Sequence, residues 1–214
     1  MVIFLAFPLM LLIPNYWYTV PFFFACNAAF YLSVQTRGSD DLMFSCMLPV
    51  KRRDVVRGRV LFLSLFQLAS ALSALGCVFL NHAIVKVPNI SGIDANLALI
   101  GFGLLLVGIF NRVFLPTFYK TGIQAGKAFL KGTAAVFSGM LLVEIANLVF
   151  GAMATRENPA PFALWWANHI DTFPTLTTAW LVQIGIAVFC TLCYTLLTLR
   201  GCRISERRFE QVDL

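Results

Sequence analysis

Glu144 and Asn147 are the residues whose chemistry and position most invite a functional interpretation. They lie three residues apart in the apolar segment LLVEIANLVF, so a helix would place them about one turn apart. An ionisable side chain inside such a segment is costly and usually faces a bundle interior, a cavity or a partner. Glu144 could act in function, or it could only hold neighbouring helices together by hydrogen bonds. Burial disfavours a charge, so we expect a protonated Glu144, bonded to Asn147 or to a facing helix.

The histidines and cysteines do not indicate a catalytic or metal centre. His82 and His169 fall in polar connectors without paired carboxylates, which argues against a metal site. Cys190 and Cys193 share one helical face inside an apolar run, where small apolar packing is the better interpretation. The sequence has no G-x-x-x-x-G-K-[ST] phosphate-binding loop and no G-x-S-x-G motif. We predict no catalytic residue, no metal site and no cofactor-binding residue in this chain.

The composition indicates an all-α integral membrane protein. Hydrophobic residues form 59% of the 214 residues, charged residues form 12%, and the mean hydropathy is +0.82. A spanning helix needs about 20 mostly apolar residues, and only helices and closed barrels satisfy their backbone polar groups in lipid. We predict a single six-span domain over residues 1–214. Its spans correspond to the apolar runs Met1–Ile13, Tyr18–Thr36, Val60–Asn81, Leu97–Phe110, Ala134–Ala154 and Thr177–Leu199.

The first apolar run is shorter than a membrane span. As an α-helix, Met1–Ile13 would rise only about 20 Å. Either Pro14 continues the span toward Tyr18, or the sequence begins inside a longer gene product. A cleaved signal peptide is a weaker alternative, because no basic region precedes the run and no small-residue cleavage site follows it.

The basic residues predict the orientation of the spans. Fourteen of the 16 Lys and Arg residues fall in the connector after the second run, the connector after the fourth run and the C-terminal tail. The other two connectors hold only Lys86 and Arg156. Because basic connectors stay on the cytosolic side, six spans with both termini in the cytosol place all fourteen there. The net charge of +6 is then a topology signal that also attracts anionic lipid, and we predict no nucleic-acid partner.

Three further patterns predict local structure. The connector Thr155–Leu176 contains the pair Trp165 and Trp166, which is typical of an interfacial anchor on a short, half-buried helix. Contact of this pair with a ligand is a second possibility. The segment Asn111–Gly132 mixes Phe and Lys, so it either lies at the interface or extends a span beyond the bilayer. Small residues in the third and fourth runs, such as Gly101, favour tight helix packing within the subunit or across a dimer.

Three motifs fall on the predicted cytosolic side. They are DLMFSCMLPVKRRDVVRGR at Asp41–Arg59, LPTFYKTG at Leu115–Gly122 and SERRFEQVDL at Ser205–Leu214. Their order and spacing resemble permease subunits of type-2 ATP-binding-cassette (ABC) exporters, small bacterial six-span proteins, over essentially the whole chain. The departure is at the N-terminus. Such subunits usually begin with a cytosolic amphipathic helix, whereas this sequence starts inside the first span.

The resemblance implies the partners and the mechanism. Two permease subunits, identical or paralogous, would pair in the bacterial cytoplasmic membrane on two separately encoded ABC ATPase subunits, which bind ATP and Mg. Coupling would pass through Leu48–Arg59, between the second and third spans, where a cytosolic coupling helix at Leu48–Asp54 would lie along the membrane and enter a groove of the ATPase. Apolar anchors, a proline suited to the first helical turn and charges that set register fit this role. The coupling residues are Leu48, Pro49, Val50, Lys51, Arg52, Arg53 and Asp54.

Two other functional classes remain open. A secondary transporter would use Glu144 as its proton site. A lipid-modifying membrane enzyme would need a cluster of catalytic polar residues at one interface, which the sequence does not show. The transported substrate cannot be read from the sequence, and lipids, peptides and amphipathic drugs all fit its apolar spans.

Overall fold

All regular secondary structure is helical in the residues that the structure, a computed structural model, describes: 2–38, 51–86, 89, 91–120, 124–175 and 177–211. Two 3-10 helices, Val2–Leu5 and Phe7–Leu12, come first. A π-helical turn at Ala167–Asp171 follows the fifth α-helix. The α-helices are α1 (Val20–Gly38), α2 (Arg52–Ile84), α3 (Leu97–Lys120), α4 (Ala125–Ala154), α5 (Pro161–Trp166) and α6 (Thr177–Glu210).

Four of these helices, α2, α3, α4 and α6, are long and apolar enough to cross a membrane. The segments Ile3–Leu12 and Val20–Gln35 are shorter apolar helices. The all-helical membrane class is therefore confirmed, while the count of six spans and the side of the termini stay predictions. At 1.5 Å per residue, α2 and α6 are each about 50 Å long. Both exceed the roughly 30 Å of hydrocarbon, so each must continue beyond it.

The N-terminal segment does not form the α-helical span predicted for Met1–Ile13. Its 3-10 helix ends at Leu12, and Ile13 is extended, with φ −86° and ψ 118°. The residue before a proline is pushed toward extended geometry, so Pro14 ends the helix instead of continuing it toward Tyr18. The segment lies along α2. Ser73 Oγ donates to the carbonyl of Leu5 at 3.3 Å.

The connectors are shorter than the sequence suggested. Helix α3 continues ten residues past Phe110, and α4 begins at Ala125, well before the predicted Ala134. Most of Asn111–Gly132 is therefore extended spanning helix, the second of the two alternatives. The predicted short helix between the last two long helices is present as α5, with half-buried Trp166 at its end.

The core centres on α3, the most buried of the four long helices, which packs closely along α6. Gly101 and Gly108 make the approach possible. A Cβ added at Gly101 would lie 2.9 Å from Cα of Ala187, and one at Gly108 would lie 2.9 Å from Cα of Tyr194. These small residues thus pack within the subunit, as small-residue helix faces do in lipid.

A buried polar cluster crosses this core. Asn111 and Gln67 exchange two hydrogen bonds, of 2.8 and 3.0 Å. Asn111 also donates to Thr198 at 3.1 Å, and the Tyr194 hydroxyl donates to Gln67 at 3.0 Å. The cluster joins α2, α3 and α6. Sequence reasoning missed it because Asn111 was assigned to a connector.

Candidate functional site

The start of α2 meets the end of α6 at one end of the bundle, which we call the basic end. Arg57 and Glu206 form a bidentate pair, with Nε–Oε1 at 2.9 Å and Nη2–Oε2 at 3.2 Å. One turn earlier, Arg53 and Glu210 form a second bidentate pair, with Nη2–Oε2 at 2.9 Å. Planar guanidinium–carboxylate pairs add geometric specificity as well as energy. The motifs Asp41–Arg59 and Ser205–Leu214 therefore contact each other through charged side chains.

The remaining motif, Leu115–Gly122, reaches the basic end as part of α3. Arg208 Nη1 donates to the carbonyl of Pro116 at 2.7 Å. The rings of Tyr119 and Phe209 pack edge to face, with centroids 5.3 Å apart. Contacts between residues 90 or more positions apart in sequence thus bring the three motifs into one contact cluster, which we call the motif cluster.

The residues predicted to couple to a partner fall around the beginning of α2. Leu48, Pro49 and Val50 lie outside the described residues. Lys51 is extended and stands at the N-cap position without a side-chain capping bond, and the first turn follows directly with Arg52, Arg53 and Asp54. The acidic residue is well placed there, because helix N-termini favour negative charge.

Helix α2 is unbroken from Arg52 to Ile84. The described part of the predicted coupling segment is therefore not a separate helix along the membrane. It is the first turn of a spanning helix, because nothing between residues 52 and 60 interrupts the helical hydrogen bonds.

Glu144 lies in α4, toward the end of the bundle opposite the basic end, and is 1% exposed. Its Oε1 accepts a hydrogen bond from the Thr19 hydroxyl at 2.7 Å, and its Oε2 accepts one from the backbone N–H of Ile93 at 3.2 Å. A Cβ added at Gly92 would overlap this carboxylate. Glu144 therefore joins α4 to the turn before α1 and to the connector before α3.

Asn147 does not pair with Glu144. Its Nδ2 donates to Asp171 Oδ1 at 2.8 Å, and its Oδ1 accepts from the Trp166 indole N–H at 2.9 Å. Of the two expectations for Glu144, the structure therefore favours contact with facing segments. Burial raises the pKa of Asp171 to about 6, with the Asn147 hydrogen bond acting in the opposite direction. The indole of Trp166 therefore ties the end of α5 to α4 through Asn147.

Two buried amides hold the π-helical turn in place. Asn96 Nδ2 donates to the carbonyl of Ile170 at 2.7 Å. Gln183 Nε2 donates to the carbonyls of Thr172 at 2.8 Å and His169 at 3.1 Å. Sequence reasoning did not single out either amide. The available signal was their position, with Asn96 directly before one apolar run and Gln183 just inside another.

Among the residues that the structure describes, no group of three His, Cys, Asp or Glu side chains could hold a metal ion. His82 stacks on Phe173, with ring centroids 3.8 Å apart. His169 Nδ1 lies 3.0 Å from the carbonyl of Trp165. Cys190 and Cys193 are free thiols. The arrangement is that of a packed helical bundle with polar layers at both ends.

Comparison with known proteins identifies the family. The family model described as ABC-2 family transporter protein matches residues 1–204, nearly the whole chain. No curated protein and no solved structure shows significant similarity to this chain. The match includes the whole of the first two motifs and agrees with four helices able to cross a membrane. The chain therefore belongs to the ABC-2 transporter family and is a multi-pass, permease-type membrane component.

Proposed function

We propose that this chain is the transmembrane subunit of an ATP-driven exporter in the bacterial cytoplasmic membrane. Family membership implies association with an ATP-binding subunit. In the proposal, that separate ATPase binds and hydrolyses ATP with Mg, and a second permease, identical or paralogous, completes the pathway. Both termini and the basic end face the cytosol. The segment Leu48–Arg59 contacts the ATPase.

The observation that carries this proposal is the motif cluster. Two residues of the proposed contact segment are bound to α6, by the ion pairs Arg53–Glu210 and Arg57–Glu206. Helix α6 is fixed in turn to α3 by the hydrogen bond from Arg208 to Pro116. A force applied to the start of α2 would therefore move three spanning helices together. This is the mechanical connection that a coupling site requires.

The far end of α2 supports the same view. Asn81, near that end, donates hydrogen bonds to the carbonyl of Leu11 and to the Tyr18 hydroxyl, the latter at 3.2 Å. These partners belong to the segment that leads into Thr19, whose hydroxyl donates to Glu144. A tilt of α2 would thus reach the polar layer opposite the basic end. Opening of this layer would give an outward path.

The proton-coupled alternative has less support. Glu144 is buried, both of its oxygens already accept hydrogen bonds, and it does not line the cavity of about 430 Å³ beside Asn81 or the one of about 570 Å³ beside Arg57. A proton site in a transporter must exchange with water. The contacts of Glu144 are those of a residue that holds segments together.

The test is coupled transport by the complete complex. Arg52→Glu and Asp54→Lys should leave the ATPase able to bind ATP but should reduce export. Each loses about 2–5 kcal/mol of interface energy where the charge pair is buried against the ATPase. Arg207→Glu, an exposed charge reversal near the end of α6, is the matched control. Normal assembly and normal export by both variants would leave Leu48–Arg59 as a topology signal only.

A further inference from the structure

An open groove runs between α2 and α6, beginning at the basic end. Its volume is about 570 Å³. Gly58 leaves room in it, since a Cβ there would meet nothing within 4 Å. Leu61, Leu68 and Leu199 line the groove and are 62%, 37% and 51% exposed. The exposed surface of the groove is therefore mostly apolar.

The length of the groove matches one leaflet. It extends along α2 from Arg57 to Leu68, which is about 17 Å of helix. Half of the hydrocarbon core is about 15 Å thick. The groove therefore has the length that an acyl chain of the leaflet at the basic end requires.

The charges of the groove are confined to one end. Arg57, Arg203 and Glu206 line it there, which leaves an excess of one positive charge. Arg57 is bound to Glu206, so Arg203 provides the excess. A cation at the membrane surface above an apolar groove matches a molecule with an anionic head and a hydrocarbon tail.

We propose that this groove binds an anionic phospholipid of the leaflet at the basic end, with one acyl chain between α2 and α6 and its phosphate against Arg203. The site goes beyond the transport function proposed above and does not depend on it. The phosphate would lie beside the Arg57–Glu206 pair. Occupancy would therefore stabilise the joint between the start of α2 and the end of α6.

The first experiment measures lipid selectivity of the full chain. The protein is placed in nanodiscs of equal phosphatidylglycerol and phosphatidylcholine, and retained lipids are counted by native mass spectrometry. The wild-type chain should retain phosphatidylglycerol about fivefold over phosphatidylcholine, the effect of one basic residue near a membrane surface. Arg203→Gln should abolish the preference, whereas Arg203→Lys should keep most of it. Arg207→Gln, on the same helix but outside the groove, should not change it.

The second experiment fills the groove. Leu68→Trp should reduce retention of phosphatidylglycerol several-fold. Leu65→Trp, on the same helix, 59% exposed and outside the groove, should not. Gel filtration and Tm establish that each variant is folded. Equal loss of selectivity in Arg203→Gln and Arg207→Gln would mean general surface attraction and would overturn the site. So would full retention in Leu68→Trp, or crosslinking of Leu68→Cys to a second copy of the chain.

Discussion

Arg57 and Glu206 are 149 residues apart in sequence and face each other across the basic end with two parallel hydrogen bonds, of 2.9 and 3.2 Å. The two partners differ in exposure. The side chain of Arg57 is 60% exposed, whereas that of Glu206 is only 10% exposed. The exposed Arg57 guanidinium is therefore the counter-ion of the buried Glu206 carboxylate. Loss of the arginine costs more than loss of an ordinary surface ion pair, because a buried charge is left uncompensated.

This asymmetry predicts the result of a charge swap. Arg57→Glu should lower Tm by several degrees, because it places a second carboxylate against Glu206. The double variant Arg57→Glu, Glu206→Arg should recover part of the loss. Arg207→Glu reverses an exposed charge on the same helix, outside the groove, and is the control. Tm of the purified chain in detergent provides the measurement. A double variant no more stable than Arg57→Glu alone would show that the pair has no specific role.

A second prediction concerns Glu144. In Glu144→Gln, the amide oxygen can accept from Ile93 and the amide nitrogen can donate to the Thr19 hydroxyl, so both contacts survive. Glu144→Leu removes both and leaves a buried N–H unpaired, at about 1–3 kcal/mol. Chemical denaturation should therefore show a near-native Gln variant and a destabilised Leu variant. Thr19→Val, which removes one contact only, should fall between them. A Gln variant that folds but does not transport would favour the proton-coupled alternative.

The π-helical turn predicts a pH dependence of stability. Asp171 has a pKa of about 6 in the folded protein, above the ordinary value of 3.8, because burial disfavours its ionised form. The folded state then binds more protons than the unfolded state between these values. The contribution of Asp171 to stability should decrease as pH rises from about 4 to 6, by an amount on the order of 2 kcal/mol, and then level off.

Asp171→Asn should flatten this part of the profile. Asn can still accept the hydrogen bond from Asn147, so the fold should be kept. Asp94 and Glu144 are the carboxylates whose charges act on Asp171, and they remain in the variant. Unfolding followed from pH 4 to 7 in both proteins is the measurement. Parallel profiles for the variant and the wild-type chain would contradict the assignment.

The α3–α6 contact predicts that a single methyl group is harmful. Gly108→Ala places a Cβ 2.9 Å from the backbone of Tyr194, and a backbone atom cannot move aside as a flexible side chain can. We expect a loss of about 1–3 kcal/mol. Gly185→Ala in α6 is the matched control, because a Cβ there meets nothing within 4 Å. Both substitutions improve helix propensity, so equal stability of the two variants would argue against the close contact.

The orientation predicts which residues are labelled from outside sealed cells. In a cysteine-free background, Asn158→Cys should react with an impermeant thiol reagent, while Arg53→Cys and Arg207→Cys should not. Asn89, between the same two spans as Lys86, is a poor probe, because it is buried and bonded to the carbonyl of Tyr16. Labelling of Arg53→Cys from outside would reverse the topology.

The sequence predicted the features that local composition determines. Apolar runs gave the helical membrane class, the Trp-rich connector gave α5, and three motifs gave the family. Helix ends were less accurate. Asn111 and Lys120 look like connector residues, yet both belong to α3. Asn111 can be buried there because Gln67 and Thr198 satisfy its side-chain amide.

The pairing of distant residues could not be predicted. The proton-site candidate Glu144 is bonded to residues 125 and 51 positions away, and Asn147 turns to Asp171 instead. Nothing in the periodicity of a single helix specifies which segment faces it. The same holds for Arg53, whose partner Glu210 lies near the other terminus.

Because of their lengths, α2 and α6 each lie partly in lipid and partly in water. Each helix exceeds the hydrocarbon by about 20 Å, and part of that excess lies at the basic end, beyond the level of Arg57 and Arg203. Val56 and Phe209 are buried there, at 0% and 2% exposure. Their packing is driven by exclusion of water, a force that the lipid-embedded contacts of the same helices lack. Cooling or urea should therefore loosen the motif cluster before it affects the contacts within the bilayer.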